Sequence, residues 1–184
     1  QECTLIKEYS FLDYIKGGVA NDDRTTSGGT FGTATANFQP ANEIKGIPEG
    51  KLRDTAVMDL INKVQLLNSG ADVSAAALFK DTSDILEGEI NYGTIFNIYK
   101  FDNTLYRVKV TGAELKEYME WSAACYNQWV PGDMSISFDP EKPGYLYDMF
   151  AGVDYKIDLS KPVGQRIRDV LFKGEPLKDD QELT

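Results

Sequence analysis

The clearest periodic signal lies between Thr104 and Val110, where Leu105, Val108 and Val110 are set against Arg107 and Lys109. Alternation of that kind predicts a strand with one solvated face. Thr111-Gly112-Ala113-Glu114 follows at once. Thr with Glu three places later is a capping box: the hydroxyl accepts from the N3 amide and the carboxylate reaches back to the cap. The helix it opens places Leu115, Tyr118, Met119 and Ser122 on one side. Another helix is predicted over residues 55–68, with Asp54 as N-cap, Val57, Ile61, Val64 and Leu67 as its apolar stripe, and Asn68-Ser69-Gly70 as its stop. A shorter helix is expected over 91–98, with Ile95, Phe96 and Ile98 inward.

Weaker signals organise the rest. Leu5, Tyr9 and Leu12 share one face of a helix predicted over residues 4–16 and ended by Gly17-Gly18. Residues 17–31, rich in Gly, Thr, Ser and Asp, read as a flexible loop, so that 1–31 form an N-terminal helix and linker. Residues 32–38 suit a strand, and 39–50, with two Pro and two Gly, an extended connection. The small apolar run at 71–79 suits a buried strand or a turn where backbone approaches a ligand. A long aromatic- and Pro-containing loop is expected over 127–147, then strands at 152–158 and 165–172, a turn at 173–176, and the start of a strand at Leu183-Thr184. This mixed order predicts an α+β fold, a mixed sheet with packed helices, over residues 32–184.

Composition narrows the chemistry. With 184 residues the chain suits one compact domain. A net charge of −10 argues against a nucleic-acid polymer as partner, since such binding neutralises phosphates with Lys and Arg. No apolar run is long enough to predict membrane insertion. Histidine is absent, which removes the Ser-His and Cys-His nucleophile systems and most catalytic zinc sites. Cys3 and Cys125 do not form a Cys-x-x-Cys pair and read as unpaired or buried thiols, with a disulfide as the alternative. Gly17-Gly18 and Gly28-Gly29 lack the Gly-Lys-Ser/Thr of a phosphate loop. Glu87-Gly88-Glu89 and Asp179-Asp180 read as solvated turns, not as metal or acid–base pairs.

The stretch from Ile95 to Glu120, IFNIYKFDNTLYRVKVTGAELKEYME, resembles the C-terminal domain of the 5'-nucleotidase family. In that family a helix leads to a "Pro-Phe-Gly-Asn"-like turn, a strand, Thr-Gly and a helix. Here the turn is Tyr99-Lys100-Phe101-Asp102-Asn103: the aromatic and the Asn match, while Lys100 and Asp102 depart. ADVSAAALF upstream and Tyr147 to Val153 downstream are similar to the bifunctional 2',3'-cyclic-nucleotide 2'-phosphodiesterase/3'-nucleotidase branch. The resemblance implies an extracytoplasmic two-domain protein, secreted, cell-wall associated or periplasmic. Its N-terminal metallophosphoesterase domain would hold two divalent metal ions and perform the hydrolysis. The present chain would recognise the nucleoside or nucleotide, hold no cofactor or catalytic residue, and be inactive alone.

The resemblance also implies roles for individual residues. From the residues alone, Phe101 either plugs the core or stands out on its turn; the resemblance implies that it stacks on a nucleobase. Asn103 is open between bonding the base edge or ribose and simple turn chemistry. Asp102 is open between accepting from a ribose hydroxyl and being a solvated turn carboxylate. Ser74 and Phe79 stand where many 5'-nucleotidases carry Asn and Arg. Ser74 still offers one hydrogen bond, whereas a phenyl ring cannot replace a guanidinium, which argues against plain 5'-nucleotidase specificity. For both, core packing is the alternative. Tyr145, Tyr147 and Phe150 either line the base pocket or cover the sheet, and Trp121 and Trp129 read as packing residues. The family's second stacking ring would lie beyond the strand that begins at Glu182, so the domain is expected to be truncated at its C-terminal end. Alternative readings are the C-terminal domain of a 5'-nucleotidase/UDP-sugar hydrolase, a stand-alone nucleoside-binding surface module, and an assembly domain.

Overall fold

The computed structural model describes residues 4–10, 30–101 and 103–184; for 4–10 and Phe31 it describes the backbone alone. The chain opens with strand β1, Thr4–Ser10, and continues with β2, Thr30–Ala34, and helix α1, Ala56–Ser69. Next come β3, Ser74–Ala76, β4, Gly88–Asn91, helix α2, Tyr92–Ile98, and β5, Thr104–Thr111. Helix α3, Gly112–Ala123, is followed by β6, Met149–Ala151, β7, Val153–Ile157, and β8, Ile167–Phe172. Two short strands, β9 at Glu175–Pro176 and β10 at Glu182–Leu183, end the order. The architecture is α+β.

Strand β5 occupies the middle of a three-stranded sheet ordered β1-β5-β10. Residues 4–10 therefore form a strand where the spacing of Leu5, Tyr9 and Leu12 predicts a helix. Three positions at helical spacing are a weak signal, and pairing along β5 from Thr4↔Lys109 to Ser10↔Thr104 supplies the backbone with partners instead. The rest of the predicted 4–16 helix and most of the 17–31 loop lie outside the described residues. The other sheets are β2-β4, β3-β6 and β7-β8-β9, all antiparallel.

The helices start where local chemistry says they should, with one correction. Thr111 Oγ1 accepts from the Glu114 amide at 3.3 Å, and Glu114 Oε2 accepts from the Thr111 amide at 2.8 Å, closing the predicted box. These bonds hold the Glu114 carboxyl below its ordinary range. Helix α2 has its own box, Asn91 with Thr94. For α1 the N-cap is Thr55, with no side-chain bond, not Asp54. Burial and the nearby Asp59 carboxylate raise the Asp54 pKa. Gly70, at φ 61°, closes α1 in the left-handed conformation that glycine tolerates.

Two apolar cores result. In the first, Val57, Met58 and Ile61 of α1 meet Ala76, Ile98, Tyr126, Tyr147 and Met149. Leu67, predicted in the same stripe, is 75% exposed, and Phe96 of α2 also faces outward. In the second, Leu115 and Met119 of α3 meet Phe150, Val153, Val170, Leu177 and Leu183. Cys125 is a free, buried thiol whose pKa burial pushes up to about 11.

A buried guanidinium holds the β7–β8 hairpin against the end of α3. Arg166 is 1% exposed. Its Nη1 donates to the carbonyls of Ala123 and Tyr126, both at 2.8 Å, and its Nε to the Lys161 carbonyl at 3.1 Å. It thus satisfies carbonyls left over at the end of α3, where a cation also suits the helix dipole. In return Glu120 of α3 accepts from the amides of Gly164 and Ile167, at 3.0 and 2.6 Å. The β7–β8 hairpin is bolted to α3 in both directions.

Two predictions follow from these contacts. Arg166→Met keeps length and removes every donor, leaving buried carbonyls unpaired, so urea unfolding is expected to show a loss of about 2–3 kcal/mol; a loss under about 0.5 kcal/mol would contradict the bolt. Because the folded pKa of Glu114 is lowered, its contribution is present above the ordinary glutamate value and is lost as pH falls through the lowered one. Stability measured against pH should fall less steeply in Glu114→Gln across that acid window than in the parent.

Candidate ligand-binding site

The turn between α2 and β5 is short and fixed at both ends. Ile98 closes α2 inside the first core, and Thr104 opens β5 against β1. Tyr99 is already extended, at φ −141° and ψ 103°, and residues two apart on extended backbone tend to point the same way. Tyr99 and Phe101 accordingly gather around one further ring, Phe79, from the loop after β3. The Phe79 centroid is 4.7 Å from that of Phe101, tilted by 48°, and 5.2 Å from that of Tyr99, edge to face at 71°. Such pairs add about 0.5–1.5 kcal/mol beyond burial.

Phe101 is not a core plug: it is 42% exposed. Lys100 Nζ lies 5.3 Å from its ring centroid, a cation–π contact. Asn103 is exposed and donates from Nδ2 to Tyr99 Oη at 2.8 Å. That bond orients the amide and leaves Oδ1 available as an acceptor. Beneath the turn a cavity of about 180 Å³ is lined by Val64, Ile95, Ile98, Tyr99, Asn103 and Leu105, among others. Together these groups present a π face, an amide and an ammonium to solvent. That set can hold a planar group with polar edges.

Ser74 and Tyr147 are placed elsewhere. Asp102 lies outside the described residues. Ser74 is buried on β3, its Oγ 2.8 Å from Asn62 Oδ1 and 2.6 Å from Gln65 Oε1, so its hydroxyl serves the packing of β3 against α1. Tyr147 is 6% exposed and packs edge-on against Tyr126 at 5.1 Å; it is not among the rings that touch Phe101. Phe150 is buried, while Tyr145, Trp121 and Trp129 are exposed. Asp179 pairs with Lys116 at 2.8 Å on the surface. Sequence reasoning names Tyr99 only as part of the turn and Phe79 only for the charge it lacks, and reads neither as a ring of the site. The extended Tyr99-x-Phe101 spacing signals the first. Only tertiary contact reveals the second.

Among the described residues no three His, Cys, Asp or Glu side chains are grouped to hold a metal ion. The resemblance assigns its two divalent ions to the N-terminal metallophosphoesterase domain, and the described residues of this chain offer no donor cluster for them. No described helix is long and apolar enough to cross a membrane.

Comparison with known proteins identifies the family. Residues 31–184 match the family model described as "5'-nucleotidase, C-terminal domain". A trifunctional nucleotide phosphoesterase of Bacillus subtilis is 28% identical over 155 residues, covering 75% of this chain and 10% of that protein. A 2',3'-cyclic-nucleotide 2'-phosphodiesterase/3'-nucleotidase of Yersinia enterocolitica is 31% identical over 136 residues, covering 57% of this chain and 20% of that protein. The chain thus spans about a tenth to a fifth of the length of these curated relatives. Among solved structures, a protein assigned as a 5'-nucleotidase from Staphylococcus aureus superposes with a TM-score of 0.69 at 26% identity, covering 82% of this chain and 29% of that one. A 5'-nucleotidase precursor from Thermus thermophilus shares the fold, with a TM-score of 0.61 at 19% identity over 94% of this chain and 31% of that one. The chain belongs to the 5'-nucleotidase C-terminal domain family.

Proposed function

We propose that this chain is the nucleoside-recognition domain of an extracytoplasmic, two-domain metallophosphoesterase that hydrolyses 2',3'-cyclic nucleotides and 3'-nucleotides. The observation that carries the reading is the exposed ring of Phe101, supported by Phe79 and placed beside the oriented amide of Asn103. The name borne by the Yersinia relative and two others supports the substrate class.

In this reading the base lies on Phe101 and its polar edge meets Asn103. Phe79 contributes a ring and no charge, so the cluster offers no guanidinium for a phosphate. In this reading the phosphate is directed toward the N-terminal domain, while the Lys100 ammonium stays over Phe101. When bound there, two divalent metal ions supply an activated water and neutralise charge developing on phosphorus. This chain orients the substrate, and orientation alone is worth several kcal/mol of a barrier. By itself the chain binds and does not hydrolyse.

Calorimetric titration of adenosine into the protein and into Phe101→Ala tests this. One stacked ring is worth about 1–3 kcal/mol, and about 1.4 kcal/mol is tenfold, so the substitution should weaken saturable binding by about tenfold or more. Binding that ignores the substitution removes Phe101 from the site. No heat with adenosine, guanosine or uridine from a folded protein removes the nucleoside reading.

A further inference from the structure

Lys100 stands where the family turn carries another residue, and its side chain is exposed. Elsewhere on the surface Lys51, Lys109, Lys116 and Lys156 each hold a carboxylate, at 2.7–2.9 Å. Lys100 holds none among the described residues; its Nζ lies 5.3 Å from the Phe101 centroid instead. The ammonium is thus kept at the most exposed ring of the aromatic cluster, with no anion of the described chain to neutralise it.

A flat ligand resting on Phe101 lies about 3.5 Å from the ring, the usual separation of carbon atoms in contact. An ammonium 5.3 Å from the same centroid reaches the rim of that ligand with a small rotation of its stem, and keeps its contact with Phe101 while doing so. Asn103 meets the rim as well. Its Nδ2 is engaged with Tyr99 Oη at 2.8 Å, which leaves Oδ1 to accept. An acceptor of this kind does not choose between the common bases, because each of them carries an N–H on its edge. Lys100 does choose. An ammonium has three donors and no acceptor. It bonds a keto oxygen readily, and it has nothing to offer an exocyclic amino group, whose hydrogens would face its own.

We propose that Lys100 is a specificity-determining residue, and that it favours bases with a lactam edge, a keto oxygen beside a ring N–H, over bases with an amino group in that place. Guanine, hypoxanthine and uracil belong to the first class, adenine and cytosine to the second. The ring lies on Phe101, the keto oxygen accepts from the Lys100 ammonium, and the neighbouring N–H donates to Asn103 Oδ1. A hydrogen bond from an ammonium is shorter and stronger than a neutral one, so the keto oxygen decides the preference. The inference rests on the reading that a base stacks on Phe101, and adds to it which bases are preferred.

Calorimetric titrations of inosine and adenosine test it. These nucleosides differ only where one has a keto oxygen and a ring N–H and the other an amino group and a bare ring nitrogen. Inosine should bind about fivefold tighter or more. Lys100→Met keeps a long stem and removes the charge; it should bring the two affinities within about twofold of each other, mainly by weakening inosine. Lys100→Arg should retain the preference. Lys80→Met, which removes the exposed ammonium next to Phe79 in sequence, should leave the ratio unchanged, which a general effect of net charge would not. Phe101→Ala should weaken both nucleosides alike.

Equal affinities in the parent chain, or a preference that survives Lys100→Met, would overturn the proposal and leave the stacking site standing. So would a titration of adenosine 3'-monophosphate that Lys100→Met weakens by about tenfold while the inosine-to-adenosine ratio stays unchanged, because the ammonium would then serve the phosphate. No saturable binding of either nucleoside by the folded chain removes the stacking site, and this preference with it.

Discussion

Backbone amides and carbonyls need partners, and β5 is the middle strand of its sheet, so the requirement bears on both of its edges. That strand is held by β1 along one edge and by β10 at the end of the other. Its first residue follows the turn that displays Phe101, and its last residue is the cap of α3. The position of the aromatic cluster and the start of the second core are thus both set by one strand.

That dependence explains how an exposed ring is kept in position. Phe101 follows a helix that ends in the first core, precedes a paired strand, and rests on Phe79 and the Tyr99–Asn103 bond. A ring fixed in this way loses little freedom on meeting a planar ligand, and preorganisation of this kind is where affinity is gained. One ring at about 1–3 kcal/mol falls short of even millimolar binding, which needs about 4.1 kcal/mol. Useful affinity has to come from the amide and the ammonium as well. The acidic balance of the chain, −10, agrees with a site that takes the uncharged end of a nucleotide and leaves its phosphate to another domain.

Local patterns were legible in the sequence where the chemistry was local. The alternation through β5, the Thr111–Glu114 box and the Gly70 stop all depend on residues within a turn or two of each other, and all are present. Residues 4–10 were misread because three positions at helical spacing cannot reveal a partner strand a hundred residues away. Asp54 was read as a cap because its residue type is suited to the role. Thr55 holds that position, and Asp54 is set against Asp59. At the site, Phe101 and Asn103 were visible through the family turn. Phe79 was judged only by the charge it lacks, and its contact with Phe101 spans 22 residues of chain. Ser74 and Tyr147 sit in small-residue and aromatic runs that look alike at a pocket and in a core; here one bonds Asn62 and Gln65, and the other packs on Tyr126.

The central claim is that the Phe79–Tyr99–Phe101 cluster is where a nucleobase stacks. Aromatic side-chain NMR during an adenosine titration addresses it most directly, because ring-current shifts report which rings the base covers. The account predicts saturable shifts concentrated on Phe101, with smaller ones on Phe79 and Tyr99 and none on the buried Tyr126 and Tyr147. Shifts centred on Tyr147, or saturable binding that leaves Phe101 unmoved, would contradict it.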